Sequence, residues 1–167
     1  MHHNELDVIF KRRSIRKYHD QPVSPEHIET LLRAAMAAPS ASNKQPWHFV
    51  VIENRDMLNG FTEVHAYARM LKEATLCIAV CGEKDKAYWV QDCSAATQNI
   101  LLAAAGLGLG SVWLGVHPNA EREAQVSEML GISPQYAPLC LIAVGHPAEQ
   151  KGPSERFDPE KVHYEKW

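Results

Sequence analysis

The apolar positions of the chain follow two periodicities. In residues 28–35 they recur every three or four positions, which predicts the buried face of a helix. Ser24 and Pro25 are typical of the N-cap and first turn of this helix, which is expected to end near Ala38 and Pro39. Elsewhere, short runs of consecutive apolar and β-branched residues are typical of buried strands. The chain therefore alternates between helices and strands.

Four further helices are predicted at 5–11, 64–72, 89–106 and 119–131, and four strands at 48–53, 76–82, 111–116 and 139–145. Asn119 and Gly131 are typical N-cap and C-cap residues for the last helix. Strands that alternate with helices favour an α/β domain, in which helices flank a central sheet. The length of 167 residues fits one domain, 1–167. Residues 146–167 are charged, aromatic and aperiodic, and are expected to form a C-terminal arm.

The helix predicted at 89–106 is apolar on nearly every face. Such a helix has to be buried on most of its sides. The central sheet can cover one side, and the simplest cover for the other is a second subunit. The pattern therefore favours a homodimer.

Composition and charge exclude several classes of protein. Hydrophobic residues at 46% and charged residues at 22% are ordinary for a soluble globular protein. The net charge of -3 argues against a nucleic-acid binder, and no apolar run approaches the roughly 20 residues of a membrane span. Cys77 and Cys81 would lie about 13 Å apart on one strand, too far for a disulfide. Four cysteines without a paired pattern predict a reducing, cytoplasmic location.

A basic cluster occupies residues 11–18, KRRSIRKY, at the end of the first predicted helix. Arg12, Arg13 and Arg16 can converge with the hydroxyl of Ser14 on one anion, because a turn after the helix would gather them. The planar guanidinium fork suits phosphate. The alternative is a solvated basic face, in which these charges only favour the helix C-terminus.

The connection between the helix at 25–38 and the next strand, APSASNKQPW at 38–47, is unusually long and polar. Connections in compact domains typically need about four to six residues. Its small side chains indicate that backbone can approach a ligand closely, so this loop is a candidate binding element. The glycines of GLGLG, 106–110, end a helix instead of opening one, which excludes a dinucleotide-binding fingerprint and favours a helix C-cap.

Signatures of metal and covalent catalysis are lacking in the sequence. The nine histidines show no spacing typical of a metal site on a helix, and there is no G-x-S-x-G elbow. No catalytic side chain is therefore predicted. If the protein is an enzyme, a cofactor is expected to supply the chemistry.

Four motifs in order resemble the FMN-dependent nitroreductase family. They are RRSIRKY near the N-terminus, APSASNKQPWHFVV, DCSAATQNILLAAAGLGLGSVWLG, and LIAVGHP with the ending RFDPEKVHYEKW. The resemblance spans essentially the whole chain, and the order of the motifs is more specific than any one of them. It is closest to short members of roughly 170 residues. The implied fold is α+β, with three α/β-like layers in which helices flank a mixed central sheet, in an intertwined homodimer.

The resemblance also implies roles for particular residues. The FMN phosphate would be held by Arg12, Arg13 and Ser14 with Arg156, and Arg16 would face the pyrimidine edge of the flavin and tune it. The flavin and ribityl chain would meet the loop through Pro39, Ser40, Ala41, Ser42, Asn43 and Gln45. The alternative role of Gln45 is to brace the loop. Trp113, Leu114 and Gly115 would lie against the ring, with a backbone N–H near N5.

The implied activity is a ping-pong reaction in which NADH or NADPH reduces FMN and a small organic acceptor, such as a nitroaromatic or a quinone, is then reduced. Each flavin would be shared, so the 38–47 loop would serve the flavin whose phosphate the other subunit holds. Two alternatives stay open: a flavoenzyme of other chemistry on the same scaffold, and a flavin-binding module with little turnover. The chain lacks the helical insertion of longer members, so residues 66–72 or the segment near Tyr88 and Trp89 would have to roof the flavin.

Overall fold

The computed structural model describes residues 6–152 and 154–167, which contain five α-helices and four β-strands. The helices are α1 (Asp7–Lys11), α2 (Pro25–Met36), α3 (Arg55–Val64), α4 (Trp89–Gly106) and α5 (Ala120–Leu130). The strands are β1 (Trp47–Ile52), β2 (Leu76–Glu83), β3 (Gly110–Gly115) and β4 (Tyr136–Gly145). Single turns of 3-10 helix lie at Ala41–Asn43, Arg69–Lys72 and Pro159–Lys161. The predicted start of the first helix, at Glu5, lies outside the described residues.

The four strands form one sheet in the order β1-β2-β4-β3, and each neighbouring pair is antiparallel. The prediction of a mixed sheet is therefore wrong for these strands. β2 and β3 do run in the same direction, as expected for a strand–helix–strand unit, but β4 is inserted between them and pairs antiparallel with both. Within the described residues, the only parallel pairing is an isolated bridge between Ser14 and Ser111 at the outer edge of β3.

Helices cover both faces of the sheet, which confirms the three-layer α+β architecture. Alternate residues of β2 point to opposite faces. Leu76 and Ile78 belong to a buried cluster with residues of α2 and α4, whereas Cys77 and Ala79 belong to a second cluster with residues of α3 and α5. The central strands are thus buried on both sides, which explains why their sequences are continuous apolar runs.

The predicted helix ends agree with the structure at several points. The bounds of α4 are those predicted, Trp89–Gly106. The Ser24 side chain accepts a hydrogen bond from the backbone N–H of His27 at 3.2 Å, and Asn119 caps α5 in the same way. Gly131 ends α5 with a φ of 63°, in the left-handed conformation that favours glycine.

The helix predicted at 64–72 is wrong. The structure has α3 at Arg55–Val64, followed by a turn and only one 3-10 turn at Arg69–Lys72. The Asn54 side chain caps α3 by accepting from the N–H of Met57 at 3.0 Å. Gly60, which weakens the helical pattern, lies where a Cβ atom would come within 2.9 Å of Met129 on α5. At Gly60, α3 therefore packs closely against the flexible end of the Met129 side chain.

The glycine-rich segment 106–110 ends α4 and turns the chain into β3, which confirms the C-cap interpretation. Gly108 has a φ of 74°, and a Cβ atom on Gly110 would come within 2.7 Å of the Ile15 side chain. Gly110 thus permits close passage of the N-terminal segment along β3.

All four cysteines are buried and unpaired. Burial raises the pKa of the Cys81, Cys93 and Cys140 thiols to about 12 and that of Cys77 further. The interpretation of these cysteines as small buried hydrophobic residues is confirmed. Among the described helices, none is both long enough and apolar enough to cross a membrane.

A buried histidine joins the turn after α3 to the end of β3. His65 is only 2% exposed, and its Nδ1 atom accepts a hydrogen bond from the N–H of Tyr67 at 3.2 Å. Nδ1 therefore carries no proton, so Nε2–H donates to the carbonyl of Gly115 at 2.9 Å. Burial lowers the pKa of His65 below its ordinary value of 6.5, and the nearby Arg122 lowers it further.

The stability of the protein is expected to depend on pH through His65. Below its ordinary pKa of 6.5, the unfolded chain binds a proton that folded His65 resists, so the contribution to stability is present above that pH and falls as the pH drops towards the lowered value. Urea unfolding measures the free energy of unfolding at about pH 7.5 and about pH 5.5. The decrease in this free energy on acidification should be smaller for His65→Gln than for the native protein. Equal losses in the two proteins would contradict the assignment of a neutral His65.

Candidate functional site

The largest cavity described here opens beside β3, at the edge of the sheet, and has a volume of about 850 Å³. We call it the edge cavity. Its lining comprises Arg16, His65, Ala66, Tyr67, Arg69, Met70, Glu73, Trp113, Leu114, Gly115 and Arg122. This volume lies within the range of about 300–1,000 Å³ that is typical of small-molecule sites.

The backbone of β3 presents hydrogen-bonding groups to this cavity. The carbonyl of Ser111 accepts from the N–H of Ile15 at 3.0 Å, so the polar backbone groups of Ser111 point away from β4. Because this direction alternates along an antiparallel strand, those of Trp113 and Gly115 also point to the open edge. The Gly115 carbonyl does so visibly, since it accepts from both His65 and Arg122. The N–H groups of Trp113 and Gly115 are therefore directed towards the edge cavity.

A second cavity, of about 320 Å³, lies beside the first part of β3 and is strongly basic. We call it the basic pocket. Four cations line it, Lys11, Arg12, Arg13 and Lys151, with one carboxylate, Glu149. The pKa of Arg12 is lowered by burial and by the positive charges of Arg156 and Arg13. The charges of Arg13 and Arg156 therefore repel that of Arg12, and a bound anion would relieve this repulsion.

The two neighbouring arginines of the basic pocket have different surroundings. Arg13 donates from Nε to the carbonyl of Gly152 at 2.9 Å and from Nη1 to the carbonyl of Phe10 at 2.8 Å. It therefore joins the end of α1 to the C-terminal segment. Among the described residues, Arg12 has no such side-chain bond, so its guanidinium is the more available. Lys151 donates to the carbonyl of Ser14 at 2.5 Å and keeps the segment after β4 against the RRS motif.

The 38–47 loop has an unusual backbone. Ser42, Asn43 and Gln45 have φ values of 51°, 54° and 49°, in the left-handed region that L-residues rarely adopt. Each such residue costs on the order of 1–3 kcal/mol. Three strained residues within four positions persist only if the surroundings hold them, and strain of this kind is common at ligand sites.

Specific hydrogen bonds hold this loop in its strained form. The buried carboxylate of Asp92, in the first turn of α4, accepts from the N–H of Ala41 at 3.0 Å. The Ser40 hydroxyl accepts from the N–H of Gln45 at 3.0 Å, and the Gln45 side chain donates to Asn43 at 2.8 Å. Gln45 therefore braces the loop, as one of the two roles considered for it requires.

The predicted site residues other than Arg156, which lies in the C-terminal arm and lines neither cavity, fall into three groups. Arg16, Trp113, Leu114 and Gly115 line the edge cavity, and Arg12 and Arg13 line the basic pocket next to Ser14. Residues 39–45 form a separate group, and none of them is among the described residues that line either cavity. Two of the groups therefore adjoin along β3, and the loop lies apart from them.

Several cavity residues have no motif in the sequence that would indicate them. His65 lies inside the segment wrongly predicted as a helix, and Glu73 directly follows it. Arg122 lies among acidic residues in the first turn of α5, and Lys151 follows β4. One of the two segments considered as a roof contributes Ala66, Tyr67, Arg69 and Met70 to the lining of the edge cavity, whereas Tyr88 and Trp89 are not in that lining. In the part of the chain that the structure describes, no group of three or more His, Cys, Asp or Glu side chains could hold a metal ion.

Comparison with known proteins gives consistent relatives over nearly the full chain. Two archaeal proteins, from Methanothermobacter thermautotrophicus and Archaeoglobus fulgidus, are each 48% identical over 97% of this chain, and 87% and 98% of their own lengths are covered. Both carry the provisional name NADH dehydrogenase/NAD(P)H nitroreductase.

Solved structures agree with this relationship. An FMN-dependent nitroreductase from Clostridium difficile matches with a TM-score of 0.91 and 31% identity, covering 96% of this chain and 98% of that one. A structure from Desulfovibrio desulfuricans, provisionally named a nitroreductase and determined in complex with FMN, matches with a TM-score of 0.84 and 33% identity over 98% of each chain. The sequence profile of the nitroreductase family matches residues 9–64 and 60–146. With the edge cavity, the basic pocket and this match together, the chain belongs to the nitroreductase family.

Proposed function

We propose that the protein is an FMN-dependent oxidoreductase that takes reducing equivalents from NADH or NADPH and transfers them to a small organic acceptor. The observation that carries this proposal is a pair of cavities beside successive parts of β3, one lined by four cations and the other by arginines and outward backbone N–H groups. A phosphorylated flavin has a dianionic end and a planar end that match these two regions. The FMN in the Desulfovibrio structure and the name of the Clostridium enzyme support the same cofactor.

The basic pocket would hold the phosphate. Arg12 would be its main ligand, because its guanidinium makes no hydrogen bond to the described residues. Arg13, the Ser14 hydroxyl and Arg156 would assist it. Each charge-assisted hydrogen bond to a phosphate contributes about 1.5–3 kcal/mol. The anion would also remove the repulsion that lowers the pKa of Arg12. Lys151, which lines the same pocket, adds positive charge.

The edge cavity would hold the flavin ring. Arg16 would face its pyrimidine edge, where a fixed positive charge stabilises the negative charge that reduction creates. Trp113, Leu114 and Gly115 would lie against the ring, and an N–H group of β3 would bond near N5. When bound, FMN accepts two electrons as hydride from the nicotinamide and releases them to the acceptor, which is chemistry no side chain supplies.

The 38–47 loop would contribute to the site of a second subunit. Pro39, Ser40, Ala41 and Ser42 are small, and Asn43 keeps amide donors free for a polar edge, so backbone can approach a flat ligand. The loop lies apart from both cavities of its own chain, which is consistent with the expected sharing of each flavin between subunits. The strain in Ser42, Asn43 and Gln45 is consistent with a surface preorganised for a ligand.

A homodimer is supported by an apolar hollow between α1, α2 and α4, of about 420 Å³. Its lining is Val8, Ala34, Ala37, Asn99, Leu102, Ala103 and Gly106, almost entirely apolar. Ile9, Phe10 and Met36 on the same helices are 49%, 66% and 55% exposed. The C-terminal arm also exposes large aromatic side chains, among them Trp167. Apolar surface of this kind is typical of a subunit interface.

The acceptor and the ping-pong order rest on the family alone. A single edge cavity would receive the nicotinamide and then the acceptor, which is consistent with release of one before entry of the other. The predicted cytoplasmic location stays a prediction.

Arg12→Ala is expected to weaken FMN binding by about tenfold or more, since one phosphate contact is lost. Riboflavin has no phosphate, so its affinity for the variant should stay within about twofold of that for the native protein. Fluorescence titration of both flavins tests this. Arg33→Ala, an exposed arginine that pairs with Glu29 at 2.6 Å on α2, is the control. Equal losses for FMN and riboflavin would contradict a phosphate contact.

Asp92→Ala is expected to weaken FMN binding by about three- to tenfold, because the N–H of Ala41 loses its acceptor and the strained loop is released. Asp92→Asn keeps an oxygen at the same place and should retain most of the affinity. The same titration compares the two variants. If Asp92→Ala binds FMN like the native protein, the loop either does not depend on Asp92 or does not reach the flavin.

Leu102→Glu places a charge in the apolar hollow and is expected to shift the protein from dimer to monomer, with loss of bound FMN. Sedimentation velocity at micromolar concentration, with absorbance detection of the flavin, measures both. Asn59→Glu, on the exposed surface of α3, should leave the dimer intact. A native protein that is monomeric and still binds FMN would refute the shared site.

A further inference from the structure

Three arginines line the edge cavity, and the proposed function uses only one of them. They are Arg16, Arg69 and Arg122. Among the described residues, no carboxylate lies within ion-pair distance of any of the three. Glu73 is the only acidic residue in the described lining, and its carboxylate accepts from the N–H of Tyr18 at 3.2 Å. His65 is neutral, so the lining has an excess of positive charge.

Arg122 is held at the cavity by a single backbone contact. Its Nη1 donates to the Gly115 carbonyl at 2.8 Å, the same oxygen that accepts from His65. Its Nε is buried and has no hydrogen-bond partner among the described residues. A buried donor without an acceptor costs about 1–3 kcal/mol, and more for a charged group. The guanidinium therefore brings to the cavity a positive charge that one backbone carbonyl only partly compensates.

Arg69, in the 3-10 turn after His65, is the third arginine of the edge cavity. The chain from His65 to Met70 is fixed to β3 through the Gly115 carbonyl, and Arg69 lies in its 3-10 turn. The Arg69 side chain is exposed and makes no hydrogen bond or ion pair among the described residues. Tyr67, two residues earlier, is 75% exposed and lines the cavity as well. This segment therefore brings together a free guanidinium and an aromatic ring.

Resting on the proposed function, we propose that Arg69 and Arg122 form an anion subsite of the edge cavity and that the physiological acceptor is a planar aromatic molecule bearing a carboxylate or sulfonate. The aromatic part would lie between Tyr67 and the bound flavin. The acidic substituent would reach Arg122 and Arg69, leaving Arg16 to the flavin. The protein has a net charge of -3, so this concentration of positive charge is local and would attract anions into the cavity.

Equilibrium binding of two inert ligands of the same shape tests the subsite. Naphthalene-2-sulfonate and naphthalene-2-sulfonamide differ in charge but have nearly the same size. Calorimetric titration of the FMN-loaded protein should give at least about tenfold tighter binding of the sulfonate, since charge-assisted contacts exceed neutral ones. Arg69→Gln should remove most of that preference, and Arg69→Lys should restore part of it. Arg33→Gln, outside the cavity, should keep it in full.

Reoxidation of the reduced protein provides the second measurement. Stopped flow measures the rate of reoxidation by 1,4-naphthoquinone-2-sulfonate and by 1,4-naphthoquinone. For each quinone, the rate of Arg69→Gln is divided by that of the native protein, which cancels the difference in reduction potential between the two quinones. The ratio should fall by about tenfold for the sulfonate and little for the uncharged quinone. Arg122→Gln should act in the same direction, and its binding of FMN reports whether the β3 contact has survived.

Three outcomes would overturn the inference. Equal affinity for sulfonate and sulfonamide would exclude an anion subsite. An unchanged preference in Arg69→Gln would exclude that residue. A variant that alters only reduction by NADPH relative to NADH, with both quinones unaffected, would assign the charge to the nicotinamide nucleotide and not to the acceptor. Failure of the native protein to bind FMN at all would refute the proposed function, a result distinct from these three.

Discussion

The position of β3 at the edge of the sheet is the constraint on which the rest of the candidate site depends. β4 fills the space between β2 and β3, so β3 has a paired side and an open side. The open side is not left as a bare edge, which would invite pairing with another chain. Its first part pairs with the segment at Ser14 and Ile15, and its last part accepts side-chain donors from His65 and Arg122. Only the stretch between them remains open, and the edge cavity lies there.

The two ends of the β3 edge differ in their charged groups. The segment after β4 returns along the RRS motif through Lys151 and Arg13, and so gathers positive charge at one end. At the other end, a neutral histidine and a charged arginine share the Gly115 carbonyl. A histidine that carried a proton there would add a fourth cation to the cavity and lose the N–H of Tyr67. Burial of His65 therefore keeps both the geometry and the charge of the cavity constant.

The sequence predicted the layers of the fold well because continuous apolar runs and capping residues are local signals. Asn119, Gly131 and the bounds of α4 are examples. The helix at 55–64 was missed because Gly60 weakens its pattern, and the contact of Gly60 with Met129 of α5 exists only in the folded chain. The strand directions could not be read locally, since they follow from the insertion of β4 between two strands that precede it. The first three residues of β4 were missed as well, because Pro138 argues against a strand and is accommodated beside a bulge in β4, where Leu139 is the extra residue.

The site was predictable to the extent that it consists of motifs. The RRS cluster and the polar loop were indicated by their composition, and the structure adds that Arg13 is bound to backbone and that the loop is strained. His65 and Arg122 could not have been found from local patterns. Each contacts the Gly115 carbonyl, which is 50 residues from His65 and 7 from Arg122 and becomes adjacent only in the folded chain. Arg69 lay inside a segment mistaken for a helix, which hid its relation to the cavity.

The burial of all four cysteines has a consequence for chemical durability. A reduced flavin exposed to oxygen is a local source of peroxide, and the thiolate is the form of cysteine that peroxide attacks. With burial raising each thiol pKa to about 12 or higher, the folded protein offers almost no thiolate near neutral pH. The core can therefore use cysteine for its packing volume without offering a thiolate to the peroxide that a reduced flavin would produce.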